Sequence, residues 1–198
     1  MLSKAMRVIG LAGWSGAGKT TLLLRLIPEL AQRGLAVSTV KHAHHAFEVD
    51  EPGKDSFEHR AAGAREVLVA SERRWALIRE LRHEPEPGLA ELLARLSPVD
   101  LVIVEGFKAH AHPKIEVHRA QNDKPFLFRE VPNVRAIAAD CPVPDAPVPV
   151  LPLDDVGAVA DAALALAEPL ADVIAALAAA GPPARVMGAR GPARARRP

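Results

Sequence analysis

Tyrosine is absent, and aromatic residues make up 4% of the 198 residues although apolar residues reach 49%. A core drawn from this chain is therefore aliphatic, built from Leu, Val, Ile and Ala. A single cysteine, Cys141, excludes an internal disulfide and any cysteine-based zinc cluster within one chain. No excess of either charge exists: Lys and Arg total 25 against 24 for Asp and Glu. That balance gives no general basic surface for nucleic acid or an anionic membrane. Residues 1–6 are too short and too polar for a signal-peptide core. The one long apolar stretch, residues 158–180, is interrupted by Asp161, Glu168, Pro169 and Asp172, and carboxylates are costly inside a bilayer. We expect a soluble, cytoplasmic protein. At this length roughly 70% of the unfolded surface can be buried, so neither disulfide nor structural metal is needed.

What the chain does contain is a complete G-x-x-x-x-G-K-[ST] loop, Gly13-Trp14-Ser15-Gly16-Ala17-Gly18-Lys19-Thr20. An apolar strand-like run precedes it and an amphipathic helical run follows. Glycines let the backbone turn so that N–H groups, including those around Ser15, Ala17 and Thr21, point inward at phosphate oxygens. Lys19 reaches the β- and γ-phosphates, and the Thr20 hydroxyl suits Mg²⁺. The helix behind adds roughly half a positive charge at its N-terminus. Together these features predict binding of a nucleoside triphosphate.

Strand and helix patterns alternate, which predicts an α/β fold of the P-loop NTPase kind. Its sheet is mostly parallel, flanked by helices, with an added β-ribbon. Strands are expected at 7–12, 36–40, 66–70, 100–105 and 134–139, and a strand or ribbon at 74–81. Helices are expected at 19–33, 57–62, 89–96, 156–166 and 171–180. Residues 1–180 read as one nucleotide-binding domain. Residues 181–198 hold five arginines and no acid, with too few large apolar groups to offset ordering entropy, so they read as a basic, disordered tail.

A phosphate loop needs an acid for its metal, placed at the end of a neighbouring buried strand. Leu101-Val102-Ile103-Val104-Glu105-Gly106 has that form. Glu105 is the expected metal-linked acid, Gly106 lets a backbone N–H approach the γ-phosphate, and Lys108 is available to phosphate or an anionic partner. The polar segment 41–59 emerges at the carboxyl edge of the sheet, where ligands bind. Lys41, His42 and Lys54 are expected to meet phosphate or a polar substrate, and Asp50 and Asp55 are further candidates for the Mg²⁺ shell. His42, His44 and His45 match no zinc-ligand spacing. A solvated lid is the other reading of this segment. The Asn-Lys-x-Asp pattern that reads guanine in many GTPases is absent, but Asp140, ending an apolar strand, is placed to accept from guanine. No side chain stands out as a catalytic base.

The ordered chain resembles the molybdopterin-guanine dinucleotide biosynthesis protein B (MobB) family. The resemblance rests on the phosphate loop and on Thr39-Val40-Lys41-His42, Gly53-Lys54-Asp55-Ser56, Glu105-Gly106-Phe107-Lys108 and Pro113-Lys114-Ile115-Glu116-Val117-His118-Arg119. Ile137-Ala138-Ala139-Asp140 and Val150-Leu151-Pro152-Leu153-Asp154-Asp155 continue it. It implies a homodimeric, GTP-binding adaptor with weak GTPase activity. Such a protein assists the molybdenum cofactor guanylyltransferase and carries GTP or molybdopterin. By motif, Gly13, Gly16, Gly18, Lys19, Thr20 and Thr21 would bind phosphates and Mg²⁺, with Glu105 in the metal shell. Lys41, His42, Asp55, Ser56, Gly106, Phe107 and Lys108 would line the same face. Residues 114–119 alternate like an edge strand able to pair across subunits. The alternative is a small-molecule kinase or ATP-dependent ligase on the same fold, using Arg60, Arg65, Arg73 or Arg74 to close over the transferred group.

Overall fold

The computed structural model describes residues 5–43 and 47–181. His44, His45 and the arginine-rich tail lie outside them. The chain divides into two compact units, one of residues 1–42 and 89–198 and one of residues 43–88.

The first unit is built on a sheet ordered β2-β5-β1-β6-β7-β8. Its strands are β1 (Arg7–Ala12), β2 (Val37–Lys41), β5 (Leu101–Glu105), β6 (Lys114–His118), β7 (Val134–Ala139) and β8 (Val150–Pro152). All neighbours along this path pair in parallel. A two-residue strand, β9 (Glu168–Pro169), adds antiparallel to the start of β1. The period of two decides which side chains meet which layer. Ile9, Leu11, Leu101, Ile103, Ile115 and Val117 form one core with helices α1 (Lys19–Gln32) and α4 (Val156–Leu166). Val8, Val40, Val102 and Val104 form the other with α3 (Leu89–Ala94) and α5 (Leu170–Ala180).

Leu22, Leu23, Leu26 and Leu30 are the buried stripe of α1, at the spacing of a helix that covers a sheet. Pro28 stands on its exposed side, where water can take the carbonyl that the ring leaves unbonded. Gly34, with φ 79°, turns the chain out of the helix. Asp155 caps α4 by accepting from the Ala158 N–H at 2.9 Å.

Strand β6 departs from the expectation of an exposed edge. It is hydrogen-bonded to β1 on one side and β7 on the other, and all five residues are buried. Its alternating polar residues imitate a solvent face because each has an internal partner. Lys114 Nζ donates to the carbonyls of His110, His112 and Pro132, at 2.5, 2.7 and 3.0 Å. Glu116 accepts from the Leu127 and Phe128 N–H groups at 2.6 and 2.8 Å. The His118 ring lies 4.0 Å from that of Phe126. No free edge remains on this strand for a second subunit.

The second unit holds α2 (Asp55–Ala61) and the antiparallel ribbon β3–β4 (Glu66–Ala70 and Trp75–Arg79). Val67 is its one buried residue among those described. Arg60 pairs with Glu48 at 2.8 Å and with Asp50 and Glu80. It also lies over the Phe57 ring, 5.3 Å from the centroid.

Candidate phosphate-binding site

The loop between β1 and α1 opens at the carboxyl end of the sheet, between β5 on one side and β6 on the other. The register sets Leu11 beside Glu105 and Glu105 beside Lys41, so three strand ends meet under the loop. Ala17 N–H bonds back to the Trp14 carbonyl at 3.1 Å, and Leu22 N–H starts the helical ladder on the Gly18 carbonyl at 2.9 Å. Gly13 is required by close approach: a Cβ there would stand 2.6 Å from the Val117 carbonyl oxygen.

Lys19 folds back over this loop and donates to the carbonyls of Gly13 and Trp14, both at 2.9 Å. A phosphate entering the loop competes for the same ammonium. Burial lowers the Lys19 pKa, Glu105 opposes that, and Lys108 and Lys41 add to it. The Thr20 hydroxyl donates to Glu105 Oε1 at 3.4 Å, and Lys41 Nζ stands 3.5 Å from Oε2. Glu105 is buried, and the Thr20–Glu105 oxygens are the hard donors that Mg²⁺ takes. Among the described residues no group of three or more His, Cys, Asp or Glu is placed to hold a metal. Phosphate and water would supply the other ligands, as is usual for Mg²⁺. Lys108 Nζ sits 4.3 Å from the Trp14 ring centroid, and burial lowers its pKa. The Trp14 ring is anchored by its indole N–H on the Pro125 carbonyl at 2.7 Å. Lys19 is thus within electrostatic reach of the buried Glu105 and of Lys108 and Lys41, an arrangement suited to a polyanion with a divalent cation.

A family model for Molybdopterin guanine dinucleotide synthesis protein B, MobB, matches residues 8–140, from β1 to the end of β7. The chain belongs to the MobB family. It is 43% identical over 157 residues to the molybdopterin-guanine dinucleotide biosynthesis adapter protein of Escherichia coli (strain K12), covering 78% of this chain and 89% of that protein. The adapter protein of the same name from Haemophilus influenzae is 43% identical over 128 residues, covering 63% of this chain and 70% of that protein. Among solved structures, a molybdopterin-guanine biosynthesis protein B matches with a TM-score of 0.64 and 29% identity, covering 80% of this chain and 99% of that one. A MobB homolog from Bacillus stearothermophilus matches with a TM-score of 0.60 and 25% identity, over 80% and 98% of the two chains. The P-loop α/β fold expected above is thus the MobB fold.

Within this MobB chain the expected site residues divide. Ser15, Gly16, Thr20, Thr21 and Lys41 are exposed at the loop, and Ala17 is buried beneath it. Gly106 N–H points at the Leu11 carbonyl, 3.5 Å away. Phe107 departs from the expected ligand-facing role: it is 6% exposed and packs with Val40 and Val104. Its ring touches those of His42 and His110, with centroids 4.7 and 5.0 Å away. A large apolar ring beside a buried valine strand gains more from that core than from water.

Lys54, Asp55 and Ser56 belong to the second unit, where Lys54 precedes α2 and Asp55 begins it. Asp50 is committed there to Arg60, whose hydrogen bond holds its carboxyl below the usual range. Arg60 is committed in turn, and Arg65 pairs with Glu84, so two of the arginines considered for a kinase already hold acids. Sequence reasoning missed Arg119 and Asn122. Asn122 Oδ1 lies 3.0 Å from where a Cβ on Gly16 would be. Only the placement of β6 beside β1 brings these residues to the loop.

Proposed function

We propose that this chain binds GTP with Mg²⁺ at the 13–20 loop and acts as the adapter that assists the guanylyltransferase forming the guanine dinucleotide of the molybdenum cofactor. The observation that carries this reading is the convergence of Lys19, Thr20, Lys41 and Glu105 on one loop, in a family whose named relatives are adapter proteins. Backbone N–H groups and the N-terminus of α1 bind the phosphates, and Lys19 exchanges its loop carbonyls for phosphate oxygens. Thr20 and Glu105 would hold Mg²⁺, which neutralises charge on the β- and γ-phosphates. Hydrolysis is slow on this reading, because no described side chain is identified as a base for the attacking water. The protein works as a homodimer in the cytoplasm, with molybdopterin as a further candidate ligand.

Lys19→Ala tests the reading. Binding of GTP should disappear while the thermal unfolding midpoint stays within a few degrees of the parent. Retained GTP affinity in that variant would remove the loop from the account. The adapter role is tested by adding the chain to a guanylyltransferase reaction, where the parent should raise the yield of guanine dinucleotide and Lys19→Ala should not.

A further inference from the structure

The N-terminus of α1 carries about half a positive charge, and Lys19 lies in its first turn. The fold sets another cation against this positive end. Arg119 follows β6, and its side chain crosses the last glycine of the loop. A Cβ on Gly18 would stand 2.7 Å from Arg119 Nε and 3.5 Å from Cζ. With φ at 90°, Gly18 is in the left-handed region that favours glycine, and its missing side chain leaves the space that the guanidinium occupies.

Asp140, at the end of β7, aims that guanidinium. Its Oδ1 accepts from the Ala120 N–H at 2.8 Å, and its Oδ2 stands 3.7 Å from Arg119 Nη1. A pair this long between partly exposed groups sets direction rather than supplying much stability. A cation pressed on a helix N-terminus is unfavourable in the free protein. An anion in the loop would offset that cost, because the guanidinium then faces the anion's charge as well as Asp140.

The flank on which it stands says which part of the ligand it meets. Thr20, Glu105 and Lys41 mark the metal and terminal-phosphate end, on the β5 side of β1. Arg119 comes from β6, on the opposite side. A nucleotide with its terminal phosphate at Lys19 therefore runs toward β6 and β7, and its α-phosphate passes Gly18. We infer that Arg119 binds the α-phosphate of the nucleotide, and that Asp140 is its positioning residue rather than a reader of the base. This inference rests on nucleotide binding at the loop.

The test is a calorimetric titration of the full chain with GTP, GDP and ATP in Mg²⁺. The variants are Lys19→Ala, Arg119→Ala, Arg119→Lys, Asp140→Asn and the double Arg119→Ala/Asp140→Asn. Loss of one charge-assisted phosphate contact predicts that Arg119→Ala weakens all three ligands by a common factor of about ten. Arg119→Lys should recover part of that loss, and Asp140→Asn should weaken GTP and ATP equally. The double variant should bind no worse than Arg119→Ala alone. The inference is overturned if Arg119→Ala and Arg119→Lys both bind as the parent does. It is also overturned if Asp140→Asn loses GTP alone, or if the two losses add. A parent that binds no nucleotide, or binding that survives Lys19→Ala, overturns the loop reading itself. Lys19-dependent binding that ignores Arg119 overturns only this inference.

Discussion

Replacing Glu105 by Gln should change nucleotide affinity in opposite directions with and without metal. The carboxylate is buried, with Oε1 3.4 Å from the Thr20 hydroxyl and Oε2 3.5 Å from Lys41 Nζ. Gln keeps the shape and a hydrogen-bonding oxygen but removes the charge. Without metal, a carboxylate about 6 Å from a terminal-phosphate charge repels it by about 3 kcal/mol at an effective dielectric near 20. Lys41 offsets part of this and solvent screens more, leaving about 1.4 kcal/mol, or about tenfold in affinity. With Mg²⁺ the same charge holds the cation, so its loss should weaken binding by about the same factor. The stimulation of GTP binding by Mg²⁺ should therefore drop about a hundredfold in Glu105→Gln. Titrations in Mg²⁺ and in EDTA, with thermal melts to verify folding, measure both arms. Equal losses in the two conditions would refute a metal role for Glu105 and leave it a structural partner of Lys41.

Two further perturbations test the scaffold. Gly13→Ala drives a Cβ to 2.6 Å from the Val117 carbonyl, and a strand paired on both sides cannot yield. A loss of about 1–3 kcal/mol should appear as a lower urea midpoint at constant m; an unchanged midpoint would mean the loop shifts freely. Burial, aided by Arg135, lowers Lys114 from 10.5 to about 7. Between those values the unfolded chain holds a proton that the folded chain lacks, so stability should rise with pH across that window and level off below about 7, where both states are protonated. The slope approaches about 1.4 kcal/mol per pH unit, and Lys114→Met should flatten it. A slope unchanged by that substitution would show that Lys114 titrates normally. His112, fully buried and lowered by burial from 6.5 to about 2, acts in a separate window below Lys114's.

Much of the fold was legible because local pattern and tertiary environment agree. The aliphatic run of β5, the strand–loop–helix of β1 and α1 and the leucine stripe of α3 each carry their context in a few adjacent residues. Strand β6 did not, because Lys114, Glu116 and His118 are buried by partners contributed by residues 110–132, and no local rule anticipates those partners. β8, of three residues ending at Pro152, is too short and too irregular to show an alternating pattern. At the site, Lys19, Thr20 and Glu105 follow from motif and strand ending alone. Arg119 stands 99 positions after Thr20, at the end of a segment that alternates like an edge strand, and only the sheet order brings it to Gly18. The burial of Phe107 is hidden from local sequence for a related reason. Its neighbours Gly106 and Lys108 are polar or small, and the valines that bury it include Val40, on another strand.

The most direct test of the account is a calorimetric titration of the full chain with GTP and with ATP, each in Mg²⁺. Saturable binding with a clear preference for GTP is the predicted result, and it would tie the loop to guanine nucleotide in this chain. Equal binding, or a preference for ATP, would contradict the adapter reading and favour a phosphoryl-transfer enzyme on the same fold.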